Sequence, residues 1–116
     1  YMRSIAGEIY GGDFRTGDEA IKMHAAGVRA ATGTGYMLQL LAMTGWTSVP
    51  WLWTLRQPTL ILAGNDDPLI PVVNAQLLNA LIPNARLEVL DSGHLFVVTR
   101  PEETAALVEE FLLESP

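Results

Sequence analysis

The apolar positions follow one rhythm up to about residue 57 and another after it. The first part has helical spacing and no strand-like run. Thr16-Gly17-Asp18-Glu19 has the form of a capping box, in which the two polar side chains satisfy free backbone N–H groups at a helix start. Glu19 to Ala31 follows as a helix with Ile21, Ala25 and Val28 on one side. Gly33-Thr34-Gly35 is expected to interrupt it. Tyr36 to Thr44 reads as a second helix, with Gly45 as its C-terminal cap. Trp46 to Leu55 then holds all three tryptophans, Trp46, Trp51 and Trp53. Pro50 is placed to start a short helix presenting Trp51, Leu52 and Leu55.

From Pro58 the pattern alternates. Thr59 to Ala63 is a short apolar run with branched side chains, bounded by Pro58 and Gly64. It fits a strand of a parallel sheet, buried on both faces. Val72 to Ile82 reads as a helix with Pro71 at its first turn and a buried stripe of Val73, Leu77, Leu78 and Leu81. Pro83-Asn84 turns the chain into a second strand, Arg86 to Leu90. Ser92 to Arg100 reads as a loop. Thr99-Arg100-Pro101-Glu102 repeats the capping-box pattern and opens a helix to about Glu114, with Leu107, Val108, Phe111 and Leu112 as its stripe. Strand, helix, strand, helix predicts a parallel pair with a right-handed crossover, so the fold class is α/β.

Composition narrows the function classes. The chain has 116 residues, 49% hydrophobic and 17% charged, which is globular and enough for one domain. Its net charge of −6 argues against nucleic acid or an anionic membrane surface as partner. There are no cysteines, so thiol nucleophiles, disulfides and thiolate metal sites are excluded. Polar residues, glycine or proline break every apolar run before it could span a bilayer. The chain opens on Tyr1 in mid-pattern, without a signal peptide, and reads as a piece of a longer polypeptide.

The chemistry gathers just beyond the two strands. Asp66 and Asp67 follow the first, and Asp91-Ser92-Gly93-His94 follows the second. Open α/β sheets keep their ligand crevice at these strand ends. An acid after one strand and a histidine after the next are two thirds of a Ser-His-Asp relay. Asp67 is the favoured acid, in the pattern Gly64-x-x-Asp67-x-x-x-Pro71, where it can hold a histidine ring nitrogen and select its tautomer. The plainer reading makes Asp66 and Asp67 an Asx-turn and a helix cap. Asp66 is the rival acid and the better turn residue. His94 sits on a glycine-containing loop, shielded by Leu95-Phe96-Val97-Val98. A lone histidine of this kind is more often structural, and its pairing with Asp67 is what favours chemistry. His24, on the first-half helix with no acid partner in view, reads as a solvated or interface residue.

No Gly-x-Ser-x-Gly elbow occurs, and Ser4, Ser48, Ser92 and Ser115 lack a strand-turn-helix setting. In the order serine, acid, histidine, the nucleophile belongs upstream of Tyr1. The tryptophans fit core filling, or a lid whose Trp46 and Trp51 line an acyl pocket. Gly64-Asn65 lacks the further glycines and lysine of a phosphate loop. Two distant histidines and the absence of a calcium loop give no metal pattern.

Gln57 to Pro71 and Asp91-Ser92-Gly93-His94-Leu95-Phe96 resemble the C-terminal part of an α/β-hydrolase. With Ile9-Tyr10-Gly11-Gly12-Asp13-Phe14-Arg15, Gly45-Trp46-Thr47-Ser48 and His94 to Arg100, the chain is most similar to intracellular medium-chain-length poly(3-hydroxyalkanoate) depolymerases. The resemblance implies residues 1–57 as a helical lid and 58–116 as the last part of the hydrolase core. It implies Asp67 as triad acid, His94 as general base, and a polyester or acyl ester substrate with hydrophobic side chains. It implies no metal or organic cofactor, and a cytoplasmic location with storage granules as the candidate surface. Two alternatives stand beside it. One is another α/β-hydrolase, acting on epoxides or carbon–carbon bonds. The other is an inactive truncated module that pairs with itself or another chain. A two-stranded sheet has bare edges, so a homo-oligomer through Thr59–Ala63 or the lid helices is expected if the chain is ordered alone.

Overall fold

A computed structural model describes residues 32–114 of the chain. The expected helix over Glu19 to Ala31, its capping box, His24 and the Ile9–Arg15 stretch lie outside the described residues.

The first described helix, α1 (Gly33–Met43), begins earlier than the glycines suggest. Thr32 is its N-cap, and the Thr32 hydroxyl oxygen accepts the Gly35 N–H at 3.2 Å. That cap offsets the poor helix propensity of Gly33 and Gly35, which sit in the first turn instead of breaking the helix. Gly45, just past the C-cap Thr44, has φ +79°, the left-handed conformation expected of a glycine that ends a helix. No residue of α1 is buried. A 3-10 helix, Val49–Thr54, follows with Pro50 in its first turn, and the Trp53 indole N–H donates to the Pro50 carbonyl at 2.9 Å.

Strands β1 (Thr59–Gly64) and β2 (Ala85–Leu90) pair in parallel, in register from Thr59 with Ala85 to Gly64 with Leu90. They form a two-stranded sheet among the described residues. Helix α2 (Val72–Leu81) connects them and packs on both. The α/β class and the parallel pairing follow the expectation from the sequence, with strand ends one residue longer. The segment after β2 is not wholly a loop. It contains a one-turn helix, α3 (Phe96–Thr99), before the last helix, α4 (Pro101–Glu114). No helix among the described residues is long and apolar enough to cross a membrane.

The buried centre is Ile61, Ala75 and Ile82, with Leu52, Leu78 and Leu87 packed against it. Leu52 thereby seats the 3-10 helix on the sheet layer. This corrects the stripe expected on α2. Val73 and Leu77 are exposed, because α2 meets the sheet through Ala75, Leu78 and the flanking Ile82. At 100° per residue those three share a face roughly opposite Val73. On α4, Leu107 and Phe111 are half-buried as expected, whereas Val108 and Leu112 face outward.

The second capping box is also corrected. The Thr99 hydroxyl is engaged by Ser92 at 2.7 Å and by the Leu95 carbonyl at 3.3 Å, within the histidine segment. Helix α4 is tied to β2 by Arg86, which contacts Glu88, Glu110 and Glu114 at 2.8, 2.8 and 2.9 Å.

Candidate active site

The site is built where the two parallel strands end together. The Asn65 N–H donates to the Leu90 carbonyl at 3.0 Å, and the Asp66 N–H to the Ser92 carbonyl at 3.1 Å. The Asn65 side-chain amide donates to Asp91 Oδ1 at 3.0 Å. The loop after β1 and the loop after β2 are thus laced together before either reaches its chemical residue. Gly64 makes the approach possible. A Cβ at this position would fall on the Ser92 and Gly93 carbonyl oxygens, closer than any real contact. Glycine is therefore needed here for close approach, since among the described residues only Gly45 has a positive φ.

Asp67 uses its two carboxylate oxygens differently. Oδ1 accepts the backbone N–H groups of Leu69 at 2.8 Å and Ile70 at 3.0 Å. Oδ2 lies 2.8 Å from His94 Nδ1. The Asx-turn reading and the histidine-partner reading therefore both hold, one on each oxygen. The helix-cap reading does not, because Pro71 occupies the N-cap of α2 without a side-chain cap bond. Asp66 is a turn residue bonded through its backbone to Ser92.

The Asp67 side chain is 7% exposed and that of His94 35%. Burial pushes the Asp67 carboxyl up. The Ile70 N–H, the His94 ring and the Leu69 N–H together outweigh burial and hold it below its ordinary value of 3.8. An ionised carboxylate only accepts, so His94 Nδ1–H is the donor. In the neutral ring, this bond selects the tautomer that leaves Nε2 without a proton.

The lowered carboxyl has a consequence for stability. Its contribution is fully present above the unfolded value near 3.8 and is lost as the pH falls through the lower folded value. Urea midpoints for the wild-type chain and Asp67→Asn should differ most above that value. The gap should narrow as acid is added. A gap that widens in acid would contradict the assignment.

Asp67 and His94 border an open cleft of roughly 310 Å3. Leu62, Ile70, Leu78 and Phe96 supply much of its wall, so the carboxylate–imidazole pair faces a largely apolar space. Neither Trp46 nor Trp51 lines this cleft; they are 75% and 63% exposed. Among the described residues no group of three or more histidines, aspartates or glutamates is placed to hold a metal. Sequence reasoning missed the two N–H groups that clamp Asp67, although Pro68 and Pro71 marked the turn that presents them. It also missed the buried hydroxyls of Ser92 and Thr99. They carried no local signal, being seven residues apart in an irregular segment.

Comparison with known proteins places the chain in a family. The family described as alpha/beta hydrolase fold matches residues 20–101. A poly(3-hydroxyalkanoate) depolymerase of Ectopseudomonas oleovorans is 52% identical over 108 residues, 93% of this chain and 38% of that protein. A pimeloyl-[acyl-carrier protein] methyl ester esterase of Aromatoleum aromaticum is 39% identical over 82 residues, 70% of this chain and 31% of that protein. The solved structure of a thermophilic esterase from Thermogutta terrifontis superposes with a TM-score of 0.81 at 25% identity, covering 97% of this chain and 43% of the esterase. The chain thus spans less than half the length of each.

Proposed function

The chain belongs to the alpha/beta hydrolase family, and on that premise we propose that it is the lid and acid–base part of a serine ester hydrolase. The substrate class is an ester with a hydrophobic acyl chain, with poly(3-hydroxyalkanoate) as the first candidate. The single observation that carries the reading is the 2.8 Å bond between His94 Nδ1 and a buried Asp67 clamped by two backbone N–H groups. The similarity to a depolymerase and to a methyl ester esterase supports ester hydrolysis as the reaction.

In this mechanism a serine hydroxyl supplied from outside residues 1–116 attacks the ester carbonyl. Its proton passes to Nε2 of His94, and the C–O bond to the leaving alcohol then breaks as Nε2 returns that proton to the alkoxide. Water, deprotonated by the same nitrogen, attacks the acyl-serine; the C–O bond to serine breaks as Nε2 returns the proton to the serine oxygen, and the acid is released. Asp67 keeps its negative charge throughout and stabilises the imidazolium. The apolar wall of Leu62, Ile70 and Phe96 lowers the polarity on one side of the ion pair and so strengthens it. Residues 1–57 form the lid and 58–116 the closing part of the core, and the protein works in the cytoplasm at hydrophobic storage material.

The test is a chimera in which this chain replaces the matching segment of the Ectopseudomonas oleovorans depolymerase. The chimera should hydrolyse p-nitrophenyl octanoate and should be labelled on serine by a fluorophosphonate. A folded chimera that does neither would overturn the proposal.

A further inference from the structure

We propose that Ser92 and Thr99 form a buried hydroxyl clasp that positions His94 against its carboxylate partner; the inference rests on the relay reading above. Neither residue touches the cleft, so both are positioning residues. Ser92 is 1% exposed and Thr99 6%. Their hydroxyl oxygens are 2.7 Å apart, and the Thr99 hydroxyl donates to the Leu95 carbonyl at 3.3 Å. Either hydroxyl can donate in the 2.7 Å bond, and the pair is satisfied both ways. The Leu95 carbonyl also receives the N–H groups of Val98 at 2.8 Å and Thr99 at 3.0 Å.

Ser92 therefore joins two halves of the site. Its backbone belongs to the acid side, with its carbonyl taking the Asp66 N–H and its N–H bonded to Leu90. Its side chain belongs to the histidine side, through Thr99 and α3. The segment from 92 to 99 is closed into a loop with His94 on it. The link between Ser92 and His94 is Gly93, the residue type with the greatest backbone freedom. Among the described residues the ring has one hydrogen bond of its own, to Asp67. Without the closure, Gly93 would let the ring wander from the carboxylate. A hydroxyl pair suits this task because it is directional. Once buried, either hydroxyl is costly to leave without its partner, so alternative loop conformations that separate them are disfavoured.

The experiment reads the imidazole directly, in the full 116-residue chain labelled with nitrogen-15. There are two histidines, and a His24→Gln background isolates the His94 signals. Wild type should show the Nδ1–H, bare-Nε2 tautomer, and Asp67→Asn should abolish it. Thr99→Val keeps the volume and removes the hydroxyl; it should cut the Nδ1–H population severalfold while strand amide shifts stay in place. Ser92→Ala should do the same, and Thr99→Ser should restore the wild-type spectrum. Side chains that served only to fill space would give normal spectra in Thr99→Val and altered ones in Thr99→Ser. A wild-type tautomer in either folded hydroxyl-deletion variant overturns the clasp and leaves the relay standing. Absence of the Nδ1–H tautomer in the wild type itself overturns both. If Thr99→Val does not fold, Ser92→Ala decides the matter.

Discussion

In the chimera with the depolymerase, Asp67→Asn should lower kcat for p-nitrophenyl octanoate by about 10^4-fold, roughly 5 kcal/mol of transition-state stabilisation. The substitution changes almost nothing in shape. Asparagine's carbonyl oxygen can still accept the Leu69 and Ile70 N–H groups that Oδ1 accepts now. What changes is the group facing His94. An amide NH2 now points at Nδ1 and donates to it, so the proton moves to Nε2. An imidazole protonated at Nε2 cannot take a proton from the attacking serine. The negative charge that would stabilise the imidazolium is gone as well. KM should change little, because neither oxygen is needed to hold the acyl chain. The measurement is steady-state kinetics beside a urea midpoint, which separates a chemical defect from an unfolded one. A folded Asp67→Asn chimera within tenfold of the parent rate would remove Asp67 from the relay.

Gly64→Ala should be the most damaging single change to the structure among the described glycines. The added methyl meets the Ser92 and Gly93 carbonyl oxygens, which are backbone atoms and cannot step aside as a flexible side chain would. The two loops must separate, breaking the bond from Asp66 N–H to the Ser92 carbonyl and moving Asp67 away from His94. Overpacking of this kind costs about 3 kcal/mol. The control is Gly33→Ala. Nothing lies within 4 Å of the position its methyl would take, and the residue is helical. There alanine should raise stability by up to about 1 kcal/mol. Urea denaturation of the two variants tests the pair. Equal midpoints would mean that the close approach at Gly64 is not what holds the loops.

The contrast between these two glycines shows what was legible in the sequence. In the sequence Gly64 stands out only as the boundary of an apolar run, before Asn65 and Asp66. Its backbone is ordinary, and its real constraint comes from Ser92 and Gly93, far along the chain. No local pattern encodes a contact of that separation. Gly33 and Gly35 suggest a break by propensity alone, and the Thr32 cap reverses that.

The strands were legible to within a residue at each end. β1 is a short apolar run bounded by proline and glycine, and β2 is a short segment of alternating polar and apolar residues bounded by turns. That Asp67 and His94 would meet was legible because each stands just past a strand, where a parallel sheet presents its ligand edge. The stripe on α2 was not. With apolar residues at Val73, Leu77, Leu78 and Leu81 and a small one at Ala75, periodicity offered two faces. The sheet chose the one carrying Ala75. Thr99 shows the same limit. Thr-x-x-Glu describes a helix cap equally well whether or not a buried serine claims the hydroxyl first. Trp46 and Trp51 were marked by residue type alone, and type does not say what a side chain faces.

The central claim is that His94, oriented by Asp67, moves the protons of ester cleavage. It is tested most directly by p-nitrophenyl octanoate hydrolysis in the chimera beside the same protein carrying His94→Ala. The account predicts a loss of at least about 10^3-fold with the fold intact, leaving only what substrate binding and oxyanion stabilisation supply. A folded His94→Ala chimera that hydrolyses the ester at the parent rate would contradict it.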